Sequence, residues 1–378
     1  MFLKEIIKLS TDWIYTLLQK SKLVPLKIYS YSPYIHMSLE YSRNPKNDDN
    51  LNLTYVFLQL EVVMFVICGE ALIDIFVEDN QRPPAESFPM QACVGGSPFN
   101  VAIGLARLGQ SAALFTGISN DMFGKRLSAV LEAENVSQEL IVKKSLPTTV
   151  AFVEKDKNGV PTYSFYGEGT ADRSITSDDI NFDIDDPIAI HLGSYSIVSQ
   201  PTADSLLSLV KKYSGKCLIS LDPNIRAIVE PNMKVWQNRV DELVNLADIV
   251  KVSDEDLELM YPDTAPEEII QKWLATGLKL IVLTRGGEGS SLWSAKAHTN
   301  LETPKIKVID TVGAGDTYQA ALLDSVGGLF AQYGNDWSEQ LDENKLKEIG
   351  NFSAAAAAIT CSRQGADLPT KTEVLDFM

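Results

Sequence analysis

The segment Asp310-Thr311-Val312-Gly313-Ala314-Gly315-Asp316-Thr317 holds residue types at a spacing that could do chemistry. An apolar run at 306–309, read as a strand, precedes it, and a helical apolar period follows. Two glycines at the mouth of a helix leave backbone N–H groups unobstructed. The helix end adds partial positive charge, so the corner predicts an anion cradle. Asp316 falls in the first turn, beside any anion held there. A carboxylate in that place repels a phosphate unless it has a task, and the task available is to take a proton from a hydroxyl attacking phosphorus. The other reading is an aspartate that only caps its helix, and spacing does not separate the two.

Four further segments carry candidate groups. In Gly95-Gly96-Ser97-Pro98-Phe99-Asn100, Pro98 suits a first helical turn, the glycine pair lets a ligand approach the backbone, and Asn100 offers an amide to hydroxyls. The plain alternative is a strand-to-helix connector. In Gly69-Glu70-Ala71-Leu72-Ile73-Asp74, two acids interrupt an apolar strand. Buried acids need partners, so Asp74 either grips sugar hydroxyls or fixes a turn. Asp222-Pro223-Asn224-Ile225-Arg226 ends a strand, where open α/β sheets bind ligands. Thr284-Arg285-Gly286-Gly287-Glu288-Gly289 is glycine-rich but fits neither G-x-x-x-x-G-K-[ST] nor G-x-G-x-x-G. Neither a Walker site nor a Rossmann dinucleotide site is supported.

The elements that must position these groups alternate. Apolar runs at 66–75, 112–117, 188–192, 217–221, 249–252 and 280–283 read as buried strands. Between or after them, 98–108, 123–133, 202–213, 235–246, 265–275, 317–329 and 345–360 read as helices. That alternation predicts an α/β fold with a doubly wound, mainly parallel sheet flanked by helices. Alternating strands at 148–154 and 163–167 flank Asp156-Lys157-Asn158-Gly159, a hairpin signal, and predict a small β-sheet lid.

The 378 residues include 50 acids and 33 bases, a net charge of −17. So acidic a chain lacks the basic face that nucleic acid or an anionic membrane requires, and an anionic substrate needs a local positive site. The four cysteines form no C-x-x-C pair and the three histidines no zinc spacing, which fits a reducing cytoplasm. Residues 1–63 differ in texture, with seven basic and six acidic groups. Lys8, Ser10 and Asp12 break any signal-peptide core, and Glu61, Glu70 and Asp74 break the most apolar window as a membrane span. The expectation is an extension outside the catalytic fold, with the working protein starting near Met64 and the first 63 residues then untranslated.

In series, G-G-x-x-x-N, D-P-N-x-R, T-x-G-x-x-G and D-T-x-G-A-G-D resemble the ribokinase-like (PfkB) carbohydrate kinases from about Val66 to the end, including the tail Arg363-Gln364-Gly365-Ala366. The stretch from Phe165 to Arg173 and the opening Gly69-Glu70-Ala71-Leu72-Ile73-Asp74 look most like fructokinases, with 2-keto-3-deoxygluconate kinases the nearest rival. The resemblance implies a kinase domain over 64–378 with inserted lid strands at about 75–94 and 148–170. It implies transfer of the γ-phosphoryl group of MgATP to a primary hydroxyl of fructose, with Asp316 as base and Gly313, Ala314 and Gly315 as anion hole. By the same resemblance Asp74, Gly95, Gly96 and Asn100 hold the sugar and Arg226 reaches phosphate or substrate; were the substrate the keto acid, Arg173 or Arg226 would supply the cation its carboxylate needs. Asn224, Lys251, Thr284, Gly286 and Gly289 serve ATP, Asp256 serves Mg2+, and Asp310 with the 363–366 stretch serves a monovalent cation such as K+. Ser253-Asp254-Glu255-Asp256 departs from the family's N-x-x-E, with Ser for Asn and Asp for Glu. A homodimer through the lid sheet is a further implication. The competing class is a sugar-binding protein that kept the fold and lost catalysis, against which the intact Gly313–Asp316 corner argues.

Overall fold

Runs of Val, Ile and Leu too short for helices and without polar alternation can be buried on both faces only inside a parallel sheet covered by helices. The computed structural model describes residues 64–77, 87, 89–155, 161–184 and 186–378, with the backbone of three strands before them. The chain divides into two compact units, Met1–Val62 and Val63–Met378. In the first, strands β1 (Ile28–Tyr29), β2 (Ile35–Glu40) and β3 (Phe57–Val62) pair antiparallel in that order.

In the second unit the elements follow as β4 (Phe65–Cys68), β5 (Leu72–Val77), β6 (Met90–Gly95), α1 (Ser97–Arg107), β7 (Ala112–Ser119), α2 (Met122–Ala133), β8 (Ile141–Lys144), β9 (Val150–Lys155) and β10 (Pro161–Tyr166). Then come β11 (Ala189–Gly193), α3 (Thr202–Tyr213), β12 (Leu218–Asp222), α4 (Met233–Val244), β13 (Ile249–Ser253), α5 (Asp254–Met260), α6 (Pro266–Leu274), β14 (Leu280–Thr284), β15 (Ser290–Ser294) and β16 (His298–Leu301). Helices α7 (Ala314–Tyr333), α8 (Glu343–Cys361) and α9 (Lys371–Phe377) close the chain. The large sheet has nine strands in the order β16-β15-β14-β13-β12-β11-β4-β7-β8. It is parallel from β14 to β8, with an antiparallel edge at β15 and β16. From β4 the chain winds outward through β7 and β8, then returns to β11 on β4's other side and winds the opposite way, so the strand order reverses between β4 and β11. A ligand crevice is expected beyond the carboxyl ends of those strands. Both faces are covered: Val66 and Cys68 join the core cluster of Leu206, Trp236 and Trp273, while Phe65 packs where a Cβ on Gly327 of α7 would stand.

The second sheet has four strands, β10-β9-β5-β6. The turn expected at Asp156-Lys157-Asn158-Gly159 lies outside the described residues; the strands flanking it pair antiparallel from Pro161↔Lys155 to Tyr166↔Val150.

Two expectations need correction. The run at 66–75 is two strands in two sheets, because Gly69 (φ 143) turns the chain and buries Glu70 behind it. A Cβ on Gly69 would stand 2.4 Å from Pro98 Cγ, so the turn also brings β4 against the start of α1. The run at 306–309 forms no strand: the N–H groups of Ile309 and Asp310 both donate to the carbonyl of Cys361 at the end of α8, and Val308 and Ile309 are exposed.

Candidate active site

Helix α7 starts at the glycine corner. Gly313 is its N-cap in the left-handed region (φ 79), with no side chain capping the turn. A Cβ there would stand 2.7 Å from that of Ala366, so the tail segment seals the corner and only glycine fits. The Thr317 N–H donates to the Gly313 carbonyl at 2.8 Å. The amides of Gly315 and Asp316, two residues and one residue before it in the first turn, therefore have no acceptor within the helix. Asp316 stands three residues past the N-cap, so it is not the cap itself.

Its partners come from α1. Ser97 Oγ donates to Asp316 Oδ1 at 2.7 Å, and Asn100 Nδ2 donates to Oδ2 at 2.8 Å. The two helices approach closely enough because Gly104 has no side chain: a Cβ there would stand 2.7 Å from Ala320 Cβ and 2.6 Å from Leu368 Cδ2. Asp74 reaches across from β5, its Oδ2 lying 2.3 Å from where a Gly95 Cβ would be. Burial pushes the Asp74 carboxyl up to about 6; Arg226 opposes that rise and Asp316 adds to it.

On the other side of Asp316 lies a buried ion pair. Lys251 Nζ stands 2.6 Å from Asp222 Oδ2, and both side chains are almost wholly buried. Asp222 is likewise pushed up to about 6, by burial first and with Asp256 and Asp316 contributing, while Lys251 opposes. Asp222 Oδ1 has no hydrogen-bond partner among the described residues. A Cβ on Gly315 would stand 3.8 Å from Lys251 Nζ, so the ammonium lies beneath the anion cradle. Lys251 is the cation the structure brings to the cradle, and its charge is already paired with Asp222.

Asn224, Asp256, Thr284, Gly286 and Gly289 end or follow β12 to β14 at the carboxyl edge of the large sheet. Asn224 (φ 40) follows β12 and accepts at 2.7 Å from the exposed Arg226. Asp256 is buried and accepts from the Ile225 N–H at 2.9 Å, so one of its oxygens is engaged. Thr284 is level with Ser253 across β13 and β14. Gly286 and Gly289 follow it with positive φ, and a Cβ on Gly289 would lie 2.0 Å from the carbonyl oxygen of Leu301. No hydrogen bond joins Thr284, Gly286 or Gly289 to the Asp316 group among the described residues. Asp310 accepts from the N–H groups of Val312 and Gly365 and from Gln364 Nε2, which brings it together with the tail. Arg173 lies close enough to Tyr195 for its charge to act there.

Sequence reading passed over Ser97 and the Asp222–Lys251 pairing. Residues 97 and 100 sit three apart on one helix face, and that spacing was the signal for the first. The second needed the parallel register of β12 and β13. His191 is buried against Ser220, its pKa pushed down to about 3 by burial and by Lys251, which is a structural role. Among the described residues no group of three or more His, Cys, Asp or Glu is placed to hold a metal ion. No described helix is long and apolar enough to cross a membrane.

The profile of the pfkB family carbohydrate kinases matches residues 64–373. The chain is 39% identical to a fructokinase of Rhizobium leguminosarum bv. trifolii over 263 residues, covering 70% of this chain and 79% of that one. It is 33% identical to fructokinase-1 of Zea mays over 83% of this chain and 97% of the relative. Among solved structures it resembles a fructokinase with bound ATP from Xylella fastidiosa, at TM-score 0.73 and 26% identity over 83% of this chain and 97% of the other. The doubly wound body with its small sheet is the ribokinase-like architecture that the motif series implied.

Proposed function

The chain belongs to the pfkB family of carbohydrate kinases, and from that premise we propose that it is an ATP-dependent fructokinase making fructose 6-phosphate. The observation that carries the chemistry is Asp316, held by Ser97 and Asn100 at an uncapped helix start and flanked by Asp74. The choice of fructose rests on the fructokinases to which the chain is similar.

In this reading Asp74, Asn100 and the backbone at Gly95 and Gly96 hold the sugar hydroxyls, with Arg226 and Arg173 at the rim. Asp316 orients the primary hydroxyl and takes its proton as the oxygen attacks the γ-phosphorus. The corner at Gly313, Ala314 and Gly315 offers the Gly315 and Asp316 amides to the equatorial oxygens of the moving phosphoryl group, and the Lys251 ammonium, paired with Asp222, lies beneath them. Asn224, Thr284, Gly286 and Gly289 line the nucleotide's end of the crevice. The small sheet excludes water and so limits wasteful ATP hydrolysis.

The residues present fit Mg2+ carried on the nucleotide rather than a protein cage. Asp256 has one oxygen engaged and Asp222 one oxygen unpartnered, and magnesium usually keeps several waters and takes only one or two carboxylates. When bound, the ion neutralises charge on the phosphates. A monovalent cation at Asp310 and the 363–366 stretch belongs to the same proposal, as does a reducing cytoplasm for the four free thiols. So does a homodimer through the small-sheet face opposite Asp74, where Met90 and Tyr166 are exposed.

The test is ADP release across a panel of sugars, with potassium present or replaced by tetramethylammonium. The highest kcat/KM is expected for fructose. Preference for 2-keto-3-deoxygluconate would reassign the substrate, and sugar binding without phosphoryl transfer would remove the enzyme reading.

A further inference from the structure

The two oxygens of Asp316 are held by different kinds of donor. Asn100 offers an amide that the proposed reaction also needs for the sugar. Ser97 offers a hydroxyl that is buried and has Asp316 as its hydrogen-bond acceptor. The backbone beneath Ser97 has little freedom: Pro98 follows it, packed where a Gly69 Cβ would be, and a Cβ on Gly96 would stand 2.6 Å from the Glu70 carbonyl oxygen. The carboxylate torsion of an aspartate is broad and roughly two-fold unless something fixes it. Each carboxylate oxygen accepts two hydrogen bonds, so the Ser97 bond leaves a lone pair on each oxygen for the substrate.

We propose that Ser97 is the positioning residue of the base: its hydroxyl fixes the plane of the Asp316 carboxylate and keeps it fixed while the Asn100 amide turns to the sugar. This rests on the kinase reading above. A fixed plane aims one lone pair at the attacking hydroxyl, which is worth rate and not affinity, since misplaced reacting groups cost turnover. Ser97 touches the base and not the substrate, so its removal is felt in kcat.

The experiment is a double-mutant cycle on the full chain, with the sugar that the wild type turns over fastest. Ser97→Ala is expected to lower kcat by about 10- to 100-fold, the scale of one hydrogen bond to a charged group, with KM for sugar and ATP within about twofold. Ser97→Thr, which keeps the hydroxyl, is expected to recover most of that loss. In an Asp316→Asn background, Ser97→Ala is expected to cost nothing further, because groups acting as a unit are non-additive. An equal loss in both backgrounds would mean Ser97 only supports the fold and would overturn the proposal, as would a Ser97→Ala enzyme with wild-type kcat. A wild-type chain showing no sugar-dependent ADP release would instead overturn the kinase reading.

Discussion

Asp316→Asn keeps the shape of the side chain and removes its capacity to take a proton. The Ser97 hydroxyl can reverse and accept from the new amide, so the corner is expected to stay folded. Turnover should fall by about 10²–10⁴-fold, the scale of a lost general base, while calorimetry finds sugar and ATP bound nearly as before; near-normal turnover would remove Asp316 from the role. Glu70 yields a different kind of prediction. It is fully buried, takes a hydrogen bond from Ser196, and burial raises its carboxyl to about 7 against an ordinary 4.5. A folded pKa above the unfolded one means a contribution that is complete below pH 4.5 and is lost as pH rises through 7. Urea unfolding of wild type should therefore lose on the order of 3 kcal/mol relative to Glu70→Gln between those limits. Parallel pH profiles for the two proteins would mean that folding does not raise the Glu70 carboxyl.

At the scale of elements, the crossing of α1 and α7 sets the site. Gly104→Val puts side-chain atoms where Ala320 and Leu368 already stand. It should lower stability by about 1–3 kcal/mol as overpacking does, and should lower kcat as well, because the displaced α1 carries both Asp316 donors. A melting temperature and kcat that both match wild type would show that the crossing yields cheaply. Elements whose pattern is purely local were legible beforehand: α3 falls where its apolar period put it, and β11 to β14 match their Val, Ile and Leu runs within a residue or two. Elements decided by distant contacts were not. β15 is buried although three of its five residues are serines, because α8 and the neighbouring strands cover it. The 306–309 run has strand composition, but its amides go to the end of α8.

Across the whole molecule, the glycine corner, the Gly95-Gly96 turn and Asn100 stood out in the sequence as candidates because glycine and a helix start carry their physics locally. That Asp74, Asp222, Lys251 and Asp316 act on one another was not legible, since they come from β5, β12, β13 and α7. Their meeting depends on strand order, which a local pattern does not encode. The division of the chain at Val62 allows a direct test. A protein beginning at Met64 is expected to fold cooperatively and to keep kcat within about twofold, because the family profile and every residue assigned a role lie beyond that point. A large loss of activity in a well-folded truncation would mean that the leading 63 residues supply part of the site.

The space denied to a side chain at Gly95 is taken by a carboxylate oxygen of Asp74, from another strand of the small sheet. These two positions therefore form one heritable unit. A library varied only at 95 should return glycine among active clones, since any larger residue displaces Asp74, the carboxylate proposed to meet the sugar. If Asp74 holds the sugar as proposed, a lineage drifting toward another substrate would have to change both together, or widen the pocket elsewhere first, although the two codons lie more than twenty positions apart.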